Sequence, residues 1–210
     1  MDYTIAMVEQ PYNMSFTAGG LLYHESLTVA ALYDSLGAWD AVHARVIQDN
    51  LLKMRTHSAA QRIYREVASR LKNLTEPQQA LLLTGSHQEQ GHMLWLAVCK
   101  RYRFIHDFAT DVVREKFLRL DLALSYDDYD TFFANKAEWR PEVANVAEST
   151  RKKQRAVVFK MLREAGLLTS DHRVVPALLT RAELKAIATD DPAHLTVFPI
   201  SPTELQEWLS

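Results

Sequence analysis

Residues 89–122 read almost continuously as helix, and no other stretch limits the possible folds as strongly. Leu94, Trp95, Val98, Tyr102, Ile105, Phe108, Val112, Phe117 and Leu120 recur at helical spacing and are available to a core, with a break expected near Arg103. A helix this apolar has to be covered by others, so the chain is expected to be mainly α. At 210 residues it can bury one good core and a second small one. The longest unbroken apolar run, residues 93–99, falls far short of the roughly 20 residues that cross a bilayer, which argues against a membrane span.

Polar start signals divide the rest into further helices. Thr75-Glu76-Pro77-Gln78, Ser86-His87-Gln88-Glu89 and Thr180-Arg181-Ala182-Glu183 each place a hydroxyl before a helix and an amide or acid three residues on, and Ser125 caps a helix over residues 126–136. Earlier, Leu21, Leu22, Glu25, Ser26, Val29, Leu32 and Tyr33 form a helical pattern that Gly37 can end. Helices over residues 39–50 and 58–74 follow, the second with Ile63, Val67 and Leu71 on one face and Arg62, Arg65, Glu66 and Arg70 on the others. Residues before about Met14 show no period and are expected to be extended. The best candidate junction is Trp139-Arg140-Pro141, because Pro disfavours helix in the residue before it. It gives a helical domain over residues 1–140 and a second over residues 141–210.

Beyond Pro141 the pattern changes. A short helix over residues 142–147 leads into a basic one over residues 149–165, which Gly166 ends. Strand-like pieces follow at residues 173–175 and 195–200, and Ser201-Pro202-Thr203-Glu204 opens a last helix anchored by Leu205 and Trp208. Short helix, longer basic helix, strand and later strand is the order of a winged helix-turn-helix, with "LLTSDHRVVPALL" as the first part of the wing.

The basic helix, "STRKKQRAVVFKMLREAG", carries six cations and no acid between Arg151 and Arg163, on a chain of formal net charge −2. At 100° per residue, Gln154, Val157, Val158, Met161, Leu162 and Ala165 share one stripe. Lys152, Lys153, Ala156, Lys160 and Arg163 lie nearly opposite, with Arg155 and Phe159 at the border. A solvated helix face accounts for such a strip as well as a nucleic-acid contact does. Two features favour contact: no i, i+4 acid supports the strip before Glu164, and its cations begin in the first turn, where the helix dipole opposes them. Arg151, Lys152, Lys153 and Arg155 are then the expected phosphate or base-edge contacts, and Lys160 and Arg163 the expected phosphate contacts. Arg173 assists from the wing. Base reading would rest mainly on Arg151 or Arg155, because only Arg has the fork that suits guanine.

Nothing points to catalysis. No two His, and no His and Cys, stand at ligand spacing, Gly19-Gly20 is no phosphate loop, and no nucleophile elbow occurs. Asp127, Asp128 and Asp130 read as first-turn acids of a capped helix, and Cys99, inside an apolar run, as a buried thiol. With a single Cys and no signal-peptide pattern in "MDYTIAMVEQPYNMS", a cytoplasmic location is expected. The cations Arg45, Lys53, Arg55, Arg62, Arg65, Arg70 and Lys72 spread around two helices and read as scattered surface charge.

Several segments together resemble the BrxA family of bacteriophage-exclusion (BREX) systems: "SFTAGGLLYHESLTVAALY" with Trp39, "NLLKMRTHSAAQRIYREVASRL", "HQEQGHMLWLAVCKRYRFIHDFA", "REKF", "FFANKAEW", "STRKKQRAVVFKMLREAGLL" and "DDPAHLTVFPIS". The resemblance implies a NusB-like N-terminal helical domain followed by a winged-helix-like part, duplex DNA binding, and no enzyme activity of its own. It supplies no catalytic residues. The expected partners are double-stranded DNA and other BREX subunits, with no cofactor, membrane or small-molecule substrate. The alternatives are an adaptor that docks other defence subunits through the same cations, and RNA binding.

Overall fold

The computed structural model describes residues 11–201 and Thr203. Its α-helices are α1 (Tyr23–Leu36), α2 (Trp39–Gln48), α3 (His57–Leu71), α4 (Glu76–Thr84), α5 (His87–Arg101), α6 (Arg103–Phe108), α7 (Glu115–Leu118), α8 (Tyr126–Ala137), α9 (Pro141–Ala144), α10 (Glu148–Glu164) and α11 (Arg181–Ala188). A π-helical stretch, Ala109–Arg114, joins α6 to α7, and a 3-10 helix spans Pro192–Val197. The chain is mainly helical. Among the described residues no helix is long and apolar enough to cross a membrane. The last expected helix, with Leu205 and Trp208, lies outside the described residues, as do residues 1–10.

The cap signals act as expected. Ser86, Ser125 and Thr180 each form a capping box with Glu89, Asp128 and Glu183, and at α4 Gln78 reaches back to accept from Thr75 N–H at 3.1 Å. α5 forms the centre: every residue from Gly91 to Cys99 is buried. The helix breaks at Tyr102, one residue before the expected place, and Tyr102 itself is buried. Leu120 departs from expectation. α7 ends at Leu118, Leu120 takes a left-handed turn (φ 59°), and its side chain is 83% exposed. Arg70 also departs from its expected outer face: it is buried, paired with Glu66 at 2.8 Å, and donates from Nη1 to Gly20 O at 2.8 Å.

The expected strands are reduced to single bridges. Leu168 pairs with Val174 and Ala123 with Arg173, both antiparallel. Val175 N–H donates to Leu167 O at 2.9 Å, Thr169 N–H to Arg173 O at 2.9 Å, and Val174 N–H to Leu122 O at 2.8 Å. Residues 173–175 therefore lie between residues 167–169 and 122–124. Residues 195–200 do not form a strand: Pro192 and the Asp191 side chain, which accepts from Ala193 N–H, start a 3-10 turn that carries Leu195 and Val197 into the core.

One apolar cluster reaches from Tyr12 and Phe16 to Phe198 and Ile200. The expected junction at Arg140 and Pro141 is a short turn between packed helices, with Val143 of α9 fully buried behind it.

Candidate nucleic-acid interface

α10 sorts its residues much as helical phase predicts. Gln154, Val157, Val158, Met161, Leu162 and Ala165 are buried, whereas Lys152, Lys153, Ala156 and Lys160 are exposed. Phe159, placed at the border by phase alone, is fully buried because Tyr126 and His172 pack edge-on against it at 4.8 and 5.1 Å. The helix ends in a Schellman arrangement: Gly166 (φ 73°) donates to Arg163 O and Leu167 N–H to Leu162 O.

The charges are less free than the spacing suggests. α10 begins at Glu148, which pairs with Lys152 at 2.6 Å, so the strip has i, i+4 support that the pattern from Arg151 onward does not show. Lys160 lies 3.5 Å from Glu164 and donates to Gly19 O at 3.0 Å. Glu164 in turn accepts from Leu21 N–H at 2.6 Å, in a loop where Gly20 has φ 98° and where a Cβ would lie 2.5 Å from the carboxylate. The end of α10 is thus tied to the entry of α1.

Arg151 and Arg155 turn toward α8 instead of toward solvent. Arg155 Nη1 pairs with Asp130, and its guanidinium stands 4.4 Å from the Tyr126 ring centre. Arg151 Nε is 3.7 Å from Asp130, with its guanidinium 5.7 Å from the Phe133 ring. Arg163 reaches His172 Nε2 at 3.3 Å, on the turn that precedes exposed Arg173. Lys153, Arg163 and Arg173 have no carboxylate within salt-bridge distance among the described residues.

Sequence reasoning missed the α8 side of this arrangement. Asp128 caps its helix as expected, but Asp130 pairs with α10. The available signal was the spacing of Tyr126, Asp130 and Phe133, which puts two aromatics and an acid on one helical face. At its far end the strip meets an open cleft of about 480 Å³ lined by Lys160, Arg163, Glu164, Tyr23, His24 and His87. Cys99 is buried, which pushes its thiol well above the usual range. Among the described residues no group of three or more His, Cys, Asp or Glu side chains could hold a metal ion.

A family model described as BrxA matches residues 10–191. Among relatives named BREX protein BrxA, one from Bacillus cereus (strain H3081.97) is 27% identical over 160 residues, covering 76% of this chain and 80% of its own. Another, from Escherichia coli O9:H4 (strain HS), is 23% identical over 155 residues, 74% of this chain and 73% of its own. The crystal structure of an uncharacterized protein from Magnetospirillum magneticum has the same fold, with a TM-score of 0.77 at 20% identity over 90% of this chain and 98% of that one. Since the family model spans the core helices, α10 and the paired segments around Arg173, the chain belongs to the BrxA family.

Proposed function

We propose that this protein is a non-enzymatic component of a BREX bacteriophage-defence system that binds duplex DNA through α10. The observation that carries the reading is the two-sided character of that helix: one face is fully buried, and the other presents Lys152, Lys153 and Lys160 around the small Ala156. Such a helix is fixed in position by its core side, so its cations form a stable surface for phosphates. The names of the relatives support the defence assignment.

The order of elements supports a winged-helix reading. A bridged segment at residues 122–124, the helices α8, α9 and α10, and a tight turn between two bridged segments follow the strand, helices and hairpin of that motif. On this reading the DNA-binding unit begins near residue 122 and includes α8, and the NusB-like part is built from the helices before it. Arg173 lies on the short wing.

Docking to other BREX subunits is the second reading, favoured by the exposed apolar side chains of Trp139 (81%) and Leu178 (71%). Fluorescence anisotropy with random duplex DNA at several salt concentrations separates the two. The Lys152→Gln/Lys153→Gln variant is expected to bind more weakly and to lower the slope of log K against log salt by about 1.8, or about 0.9 for each phosphate it no longer neutralises. Equal binding and slope in both proteins would overturn the assignment to α10, and no binding by either would overturn the DNA assignment. Competition with structured RNA tests the remaining alternative.

A further inference from the structure

We infer that Asp130 is a gate on the DNA-contacting helix, holding Arg151 and Arg155 against α8 so that the exposed lysines alone meet the duplex. The inference rests on the DNA-binding reading and deepens it. Tyr126, Asp130 and Phe133 follow one another at i, i+4 and i+7 on α8, and Arg151 and Arg155 stand at i and i+4 on α10. The two rows face each other. Each guanidinium covers one ring, at 4.4 Å for Tyr126 and 5.7 Å for Phe133, and the single carboxylate lies between them. A planar guanidinium suits this slot, whereas a lysine ammonium does not stack in the same way.

Side-chain exposure falls to 19% for Arg155 and 32% for Arg151, against 59% for Lys152 and 51% for Lys160. The helix therefore treats Arg151 and Arg155 differently from Lys152 and Lys160. Arg151 and Arg155, whose forks can read guanine, share one acid on α8 and turn toward it; Lys152 and Lys160, which meet phosphate as point charges, pair only with acids of their own helix and face out. With the gate closed, binding is sequence-neutral and Arg151 and Arg155 add little to it.

The test compares four full-length proteins by anisotropy on random duplex DNA across salt: wild type, Asp130→Asn, Arg151→Gln/Arg155→Gln, and the triple variant. Asp130→Asn is expected to bind more tightly and to steepen the salt slope by up to about 1.8, because two further cations reach phosphates. The double-arginine variant should keep the wild-type slope, and the triple variant should not show the steepening. Asp130→Glu, which retains the charge, should keep the wild-type slope. The gate is overturned if Asp130→Asn leaves the slope unchanged, or if the double-arginine variant lowers it in the wild-type background. The latter measurement stands even if Asp130→Asn does not fold. Binding by Asp130→Asn alone would overturn the inference in this form, because the exposed lysines would then not suffice to hold the duplex. No binding by any of the proteins would remove both readings, and wild-type binding that depends on Lys152 and Lys153 but is indifferent to Asp130 would remove only this one.

Discussion

α5 and α10 meet where Gly91 of α5 lies against the backbone of Glu164 and Ala165, and they treat charge in opposite ways. α5 opens with the Ser86–Glu89 capping box, buries nine consecutive residues, and keeps Lys100 and Arg101 for its last turn. Each of these choices agrees with the helix dipole and with the core. α10 has no side-chain cap, holds one acid in its first turn, and places Arg151, Lys152 and Lys153 immediately after it. Its buried stripe is as complete as a fold requires, yet these three cations sit where they stabilise the helix least. The contrast teaches that α5 is optimised for the fold, whereas the outer face of α10 sets charge against its own helix dipole.

The largest effect should come from the centre of α5. Trp95 is fully buried, and its Nε1–H donates to Val197 O at 3.0 Å, which links α5 to the end of the described chain. Trp95→Ala is expected to cost about 3–5 kcal/mol, from reduced burial, the cavity and an unpaired carbonyl. Urea denaturation measures it. A cost below about 1 kcal/mol would break the contrast, because α5 would then be no more committed to the fold than the face of α10.

The next effect lies just past the break at Tyr102. Burial raises the pKa of Asp107, but hydrogen bonds from His106, Tyr12 and Arg103 outweigh it and hold the carboxyl well below the usual range. A carboxylate depressed in the folded state contributes stability that is fully present above its unfolded value of about 3.9 and is lost as pH falls through the lower folded value. Stability should therefore fall below about pH 4. Asp107→Asn should remove about 2 kcal/mol at neutral pH and flatten that part of the acid profile, measured as unfolding free energy against pH. A profile as steep as wild type would show that other carboxylates control acid unfolding.

How much of the molecule is legible in the sequence depends on the range of the interaction. The caps at Thr75, Ser86, Ser125 and Thr180 are local, and each can be read from four residues. The two faces of α10 follow from phase within one helix. Phase misplaces Phe159 because the atoms that bury it belong to Tyr126 and His172, and it misplaces Arg70 because the acceptor, Gly20 O, is fifty residues away. The clasp of Asp130 on Arg151 and Arg155 is hidden for the same reason. The alternation at residues 195–200 suggests a strand, since periodicity over so few residues does not separate a strand from a 3-10 turn started by Asp191 and Pro192.

Where the two helices touch, a small effect of opposite sign is expected. A Cβ on Gly91 would lie 3.5 Å from Glu164 O and 3.6 Å from Ala165 Cα, an ordinary van der Waals distance. Gly91→Ala should therefore fit and add up to about 1 kcal/mol of helix propensity. Thermal unfolding of the variant tests whether the interface tolerates a methyl group. A marked drop in stability would show that α5 and α10 need the closer approach that only glycine permits.

The smallest effect on stability belongs to the outer face of α10. Lys153 has no carboxylate partner among the described residues, and Lys152 gives up one exposed i, i+4 pair with Glu148, which solvent and salt screen. Lys152→Gln/Lys153→Gln should thus shift the unfolding free energy by no more than about 0.5 kcal/mol, and relief of the dipole penalty works toward making that shift favourable. If the same variant loses salt-sensitive duplex binding while its stability stays level, these charges are kept for a ligand. If stability falls by more than about 1 kcal/mol, the lysines serve the fold after all, and α10 would differ from α5 only in how its supporting interactions are arranged.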